Sequence, residues 1–167
     1  MFELPHTPGC LVCGRSNPHG LHLSLHVDPA TGDVRTSFTP LPEHIGFEGI
    51  VHGGVLATVV DEAMVWAATW DGRRFCVCGE MSIRFRASAN IGEKLEVVAR
   101  AVSSRKRLVE TTAEIRSAQG LVATASGKYV PVAPERNDEV MATLIDEPNT
   151  HPATAMLTRG IPMDKDD

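Results

Sequence analysis

The chain has no surplus of positive charge: over 167 residues, 16 Lys and Arg stand against 21 Asp and Glu, a formal net charge of -5. Neutralising a phosphate backbone needs a basic surface, so nucleic acid is excluded as a partner class. Long apolar runs are also missing. Asp61 and Glu62 split the longest candidate, which therefore falls short of the roughly 18 residues that a membrane span takes. The opening Met1-Phe2-Glu3-Leu4-Pro5 has neither a basic start nor an apolar stretch, unlike a secretory leader. A soluble, cytoplasmic protein with no membrane partner is expected. Internal repeats and a helix-turn-helix appendage are absent as well, which removes repeat architectures and direct DNA regulation.

Cysteine is scarce: Cys10, Cys13, Cys76 and Cys78 are the only four. They supply one C-x-x-C hook, whereas the two-pair zinc site takes two, and the second pair is Cys-x-Cys in a strand-like stretch. Cys10 and Cys13 are read as reduced structural thiols of an N-terminal turn, and no metal is assigned. His22 and His26 are no chelating pair either. On a strand, at about 3.3 Å per residue, they stand roughly 13 Å apart.

What the chain does have fits one globular domain, with 43% hydrophobic and 22% charged residues. Residues 21–27 alternate strictly, meet the turn-rich 28–33, and return through 34–38, the pattern of a hairpin. The stretch from Pro40 to Glu48 reads as a loop by its prolines, Pro40 and Pro42, and by Gly46. From Val51 to Trp70 the chain is apolar on nearly every side, which predicts a buried helix. Asp71-Gly72 marks a turn, and four extended segments follow near 74–86, 93–103, 107–117 and 121–131. In the first of these Gly79, Met81, Ile83 and Phe85 share a face that suits packing on the helix. Two strands, a long helix and four strands predict an α+β domain, a curved antiparallel sheet around one central helix, over residues 1–131. Residues 132–167 turn polar and read as a C-terminal tail outside the core, with a short helix near 138–145 and the rest mobile or packed on a neighbouring subunit.

The helix start carries the chemistry. His52, Gly53 and Gly54 precede the apolar run, and two glycines leave the backbone N-H groups of a helix N-terminus bare. Such a terminus has a partial positive charge and suits a polarised carbonyl oxygen. Asp61 lies seven positions after Gly54, within about 20° of the same helix face, while Glu62 is rotated by roughly a further 100°. Either acid is a candidate base. An acid in an apolar helix also serves as a buried hydrogen-bond acceptor, and paired glycines also permit close packing.

His52-Gly53-Gly54 followed by Asp61, an arginine-bearing strand, and Ile91-Gly92-Glu93 together resemble the hotdog-fold acyl-CoA thioesterases, in particular the phenylacetic-acid-pathway type. The segment from Cys10 to Leu21, with its Cys-x-x-Cys-Gly start and Asn17-Pro18-His19-Gly20, is similar to the N-terminal segment of many small bacterial members. The resemblance covers residues 10–131 and implies a hotdog fold. It implies that the Gly54 N-H polarises the thioester carbonyl, that Asp61 acts as general base or nucleophile, and that His52 positions the loop or the substrate. Glu62 is the competing acid beside the substrate. Relatives place Ser or Thr on the strand after the helix to hold the attacking water. Here that stretch is Cys78-Gly79-Glu80-Met81, and a thiol is a poorer hydrogen-bonding group. The resemblance also sets Arg105, Lys106 and Arg107, in the turn between two strands, against the nucleotide phosphates of coenzyme A, with Arg84 and Lys128 as weaker cations.

Implied, then, is hydrolysis of acyl-CoA without a cofactor, coenzyme A being part of the substrate, in a homodimer or homotetramer with sites shared between subunits. The alternatives are a non-catalytic acyl-CoA binding or sensing domain and a hotdog hydratase or dehydratase. The latter wants a His paired with an acid, and His52 sits too near the glycines for that. Met64, Trp66 and Phe47 are readable as pocket walls or as ordinary core.

Overall fold

The computed structural model describes residues 1–158. Strands β1 (Phe2–Glu3), β2 (His26–Val27) and β3 (Val34–Phe38) come first, and β4 (Ile45–Phe47) and β5 (Ile50–Val51) form a small hairpin before helix α1 (Gly53–Gly72). Four long strands follow: β6 (Cys76–Phe85), β7 (Leu95–Arg105), β8 (Leu108–Ser117) and β9 (Gly120–Pro131). Helices α2 (Pro134–Met141) and α3 (His151–Thr158) close the described chain. The seven-stranded sheet is antiparallel throughout, in the order β1-β2-β3-β7-β8-β9-β6, with β4-β5 apart from it.

Alternation of apolar residues on β7, β8 and β9 gives the sheet one dry face. Leu95, Val97, Val109, Ile115 and Val122 lie buried there against Val59, Val60, Ala63, Met64 and Ala67 of α1. Alanines at the contact let the helix approach the sheet closely. Extra residues at Gly79, Val102 and Val122 bulge β6, β7 and β9, and bulges of this kind raise local twist, which curls the sheet around α1. This is the hotdog arrangement expected above.

Several local expectations change. The alternating stretch 21–27 pairs in the sheet only at His26–Val27. Before that, Leu21 and Leu23 donate their N-H groups to the carbonyls of Leu11 and Val12, and His22 takes a left-handed φ of 52°, so this segment clasps the N-terminal turn instead of extending the ladder. Helix α1 starts at Gly53, because Val51 is pulled into β5 opposite Ile45. It runs through the expected turn to Gly72 and ends at Arg73, which holds a left-handed φ of 49° with its guanidinium over the Trp70 ring. On β6 the face read as apolar is only half covered: Met81 and Ile83 are half-buried and Phe85 is 47% exposed. β6 is an outer strand of the sheet, and among the described residues no strand pairs with its free edge.

The tail begins its helix earlier than 138–145, at Pro134. Helix α3 contributes Ala153 and Leu157 to the hydrophobic core, and Ile145 bridges to His6, so this polar segment is partly inside the core it was expected to leave. Its final residues, from 159 on, lie outside the described residues. No helix among the described residues is long and apolar enough to cross a membrane.

Candidate active site

The β4-β5 hairpin delivers His52 to the first turn of α1 as its N-cap. The His52 N-H is held by the His44 carbonyl at 2.9 Å. Its ring Nδ1 accepts the Gly54 N-H at 2.9 Å. The donor expected for a carbonyl oxygen is therefore occupied by an exposed imidazole. Gly46 makes this approach possible, since a Cβ there would meet the His52 Cα at 2.6 Å. Gly53 packs differently: a Cβ there would touch the Phe85 ring at 3.2 Å.

Two turns on, the acids diverge as helical rotation requires. Asp61 faces the sheet, where the Tyr129 hydroxyl donates to its Oδ1 at 2.7 Å. Tyr129 is fully buried on β9 and stands opposite Cys78 of β6 and Val109 of β8 in the ladder. Burial first, and then the hydrogen bond to Asp61, hold the phenol well above its ordinary range, so it remains a proton donor. Burial, followed by the charge of Asp61, also pushes the Cys78 thiol up, which keeps it protonated and argues against a thiolate nucleophile. The carboxylate, the phenol and the thiol thus meet at one place on the sheet.

Glu62 turns the other way, toward the N-terminal segment. Trp66 Nε1 donates to its Oε1 at 3.1 Å, and Cys10 Sγ lies 3.9 Å from both carboxylate oxygens. Burial, then the neighbouring Cys10, raises this carboxyl to about 7. The neighbouring Cys13 draws the Cys10 thiol down to about 5, while Cys10 and burial push the Cys13 thiol well above its ordinary range. Glu62 is thus removed from the Asp61 site.

A glycine-opened helix, a half-buried acid facing the sheet and one curled antiparallel sheet are now in place, and residues 48–124 match the family model described as the thioesterase superfamily. The chain shares the hotdog fold of the thioesterase superfamily. Among solved structures, a thioesterase superfamily protein is 26% identical with a TM-score of 0.67, over 74% of this chain and 60% of its own. The present chain thus spans less than two thirds of that relative's length. The Escherichia coli PaaI protein, from the phenylacetic acid degradation operon, is 23% identical with a TM-score of 0.62, over 68% of this chain and 81% of its own. A Streptococcus mutans protein solved bound to acetyl CoA is 18% identical with a TM-score of 0.61, covering 66% and 89%. No curated protein sequence matches the chain.

Within this hotdog fold the cations lie apart from the helix start. Arg105, Lys106 and Arg107 are exposed at the β7-β8 turn, where Arg105 pairs with Leu108, one step from the Val109-Tyr129 row. The hairpin therefore sits at the end of the sheet that carries Tyr129. Arg74, beyond the C-terminal end of α1, reaches the Lys106 carbonyl at 3.5 Å. Arg84 is exposed on the outer strand, and Lys128 is engaged with Glu80 at 3.0 Å. Met64 and Trp66 are core residues at 0% and 3% exposure, while Phe47 is 75% exposed on the β4-β5 hairpin.

Tyr129, which donates to the candidate acid Asp61, is the site residue that the sequence reading missed. It is the only tyrosine in the chain, and its position opposite Cys78 depends on a strand register that no local pattern encodes.

Proposed function

We propose that the protein hydrolyses an acyl-CoA thioester to a carboxylic acid and free coenzyme A. Asp61 acts as general base or nucleophile, and the Gly54 N-H polarises the thioester carbonyl. The contact between Tyr129 and Asp61 carries this reading. A protonated phenol on Oδ1 fixes the carboxylate and leaves Oδ2 for a water or for the thioester carbon.

As a base, Asp61 takes a proton from water while the water oxygen bonds to the thioester carbon. The carbonyl electron pair moves to oxygen, facing a helix N-H donor, which is typically worth a few kcal/mol in the transition state. Collapse of the intermediate breaks the C-S bond, and the proton passes from Asp61 to the departing thiolate. As a nucleophile, Asp61 would form an acyl anhydride that water then cleaves, with the same products. In either route the carbonyl oxygen replaces His52 Nδ1 on the Gly54 N-H, and the freed ring positions the substrate.

At 1.5 Å rise per residue, Gly54 and Asp61 lie about 10 Å apart along one helix. One chain's pair cannot grip a single thioester. A homodimer, alone or doubled into a homotetramer, solves this by setting one protomer's helix start against its partner's Asp61. The outer strand β6 offers ten residues with an open edge, and Val77 and Phe85 are 54% and 47% exposed on it. Arg105, Lys106 and Arg107 supply the phosphate contacts, with Arg84 and Lys128 as further cations. Support for the ligand comes from the acetyl CoA held by the Streptococcus mutans structure.

Thiol release from a panel of aliphatic and aryl acyl-CoA substrates tests the proposal, with Asp61→Asn as control. The variant should lose about 10²- to 10⁴-fold in turnover. Full hydrolysis by Asp61→Asn would overturn the assignment. Ligand binding by the unaltered protein without thiol release would instead mark an acyl-CoA sensor, and enoyl absorbance a dehydratase.

A further inference from the structure

Three metal-ligating side chains converge on the side of α1 away from Tyr129, and the hydrolytic step uses none of them. Cys10 and Cys13 lie in a tight turn in which the Gly14 N-H donates to the Cys10 carbonyl at 3.1 Å. A Cβ on Gly14 would stand 2.4 Å from the Cys10 backbone, so the turn needs glycine after the second cysteine. The Val12 N-H donates to Cys10 Sγ at 3.3 Å, which fixes the sulfur. Both oxygens of Glu62 lie 3.9 Å from that sulfur, and one ligand atom from each of Cys10, Cys13 and Glu62 falls within 4.8 Å of the others. Trp66 Nε1 holds Glu62 Oε1 from its own helix at 3.1 Å. Cys13 is 4% exposed, and no ion pair among the described residues includes Glu62.

We propose that Cys10, Cys13 and Glu62 bind one zinc ion, which clips the N-terminal segment to α1 at the residue next to Asp61. Zinc takes thiolate at about 2.3 Å and carboxylate at about 2.0–2.2 Å, so sulfur and oxygen ligands of one tetrahedral ion stand roughly 3.6 Å apart. The present separation of 3.9 Å needs only a slight closure. Two sulfurs favour zinc over magnesium or calcium. Binding releases the thiol protons to solvent and sets two positive charges among three negative ligands. The Val12 N-H on sulfur and the Trp66 N-H on the carboxylate act as outer-shell bonds that orient the ligands. A water completes the fourth position.

The clip has a structural consequence. Leu11 and Leu21, on the clasped N-terminal segment, wall a cavity of about 650 Å³ that opens beside Val55 and Thr58 on the first turns of α1. The ion would fix that wall next to the helix start.

Metal analysis of the full-length protein, expressed with added zinc and desalted, is the direct test. About one zinc per chain is expected. Cobalt(II) exchanged into the same protein should give a near-ultraviolet thiolate-to-metal band and visible bands of a tetrahedral ion. Glu62→Gln keeps both thiols and nearly the same volume, and it should lower metal affinity at least tenfold with unchanged helical circular dichroism. Cys13→Ser should abolish the cobalt-thiolate band. Metal well below stoichiometric with no cobalt band would overturn the proposal. So would unaltered zinc affinity in Glu62→Gln, or a non-reduced mass two hydrogens light from a Cys10-Cys13 disulfide, which would make the pair a redox element instead.

Discussion

The Tyr129 hydroxyl donates to Asp61 Oδ1 at 2.7 Å, joining the last strand of the sheet to the middle of the central helix. A hydrogen bond to a charged group contributes about 1.5–3 kcal/mol. Tyr129→Phe should therefore reduce kcat for acyl-CoA by about 10- to 100-fold while KM changes little. Steady-state kinetics on thiol release measure this, and an unchanged kcat would separate the phenol from the chemistry.

Gly127 reaches the same contact from one side. A Cβ at this position would meet Tyr129 Cε2 at 2.6 Å. Gly127→Ala must therefore push the ring, and its kcat should fall toward that of Tyr129→Phe. In a strand without that ring, the same change would reduce the chain entropy lost on folding and tend to stabilise. Kinetics and a thermal melt of the variant, run together, distinguish the two effects.

Cys78 reports on Asp61. Its thiol is raised by burial and then by the Asp61 charge. The reactive thiolate is scarce at neutral pH and grows only as pH climbs toward the raised value. Alkylation of Cys78 by iodoacetamide, followed by peptide mass spectrometry, should be slow at pH 7 and accelerate with pH. Asp61→Asn removes the negative charge, lowers the thiol, and should shift that acceleration to lower pH. A pH profile identical in both proteins would mean that the two groups do not interact.

His52 has a capping role that can be weighed separately from its substrate role. Losing a side-chain N-cap typically costs about 0.5–2 kcal/mol. For a chain of this size each kcal/mol moves Tm by about 2–4 °C. His52→Ala should lower Tm accordingly and raise KM, because the ring that gives way to the substrate carbonyl and then positions the substrate is gone. An unaltered Tm would show that the Gly54 N-H is not held by this ring in solution.

The β7-β8 hairpin should behave as a binding element. Replacing Arg105, Lys106 and Arg107 together by alanine should raise KM for acyl-CoA more than it lowers kcat, and added salt should mimic the change. A larger effect on kcat would place these cations in the chemistry instead.

Local pattern was enough to expose the hotdog plan. Four long strands and the helix are visible because extended segments between turns over 74–131 and continuous apolarity after Gly54 are properties of the chain alone. Seven-residue spacing likewise sets Asp61 on the face of Gly54, and the next position turns Glu62 off it. Where the reading failed, tertiary contacts overruled local ones: residues 21–25 alternate like a strand but spend their backbone groups on Leu11, Val12 and, through the Leu25 carbonyl, Leu4. Alternation sets Phe85 on the face that suits packing on the helix, yet its outer-strand position leaves it half exposed.

By itself the sequence determined the elements, the glycine-opened helix start and the orientation of its acids, since these follow from spacing within one segment. Only the tertiary structure decided what each acid meets. Tyr129 is 68 residues from Asp61, and Cys10 is 52 from Glu62. Such pairings come from sheet register and from the path of the N-terminal turn across α1, and both are set by burial of the whole core instead of by any local stretch.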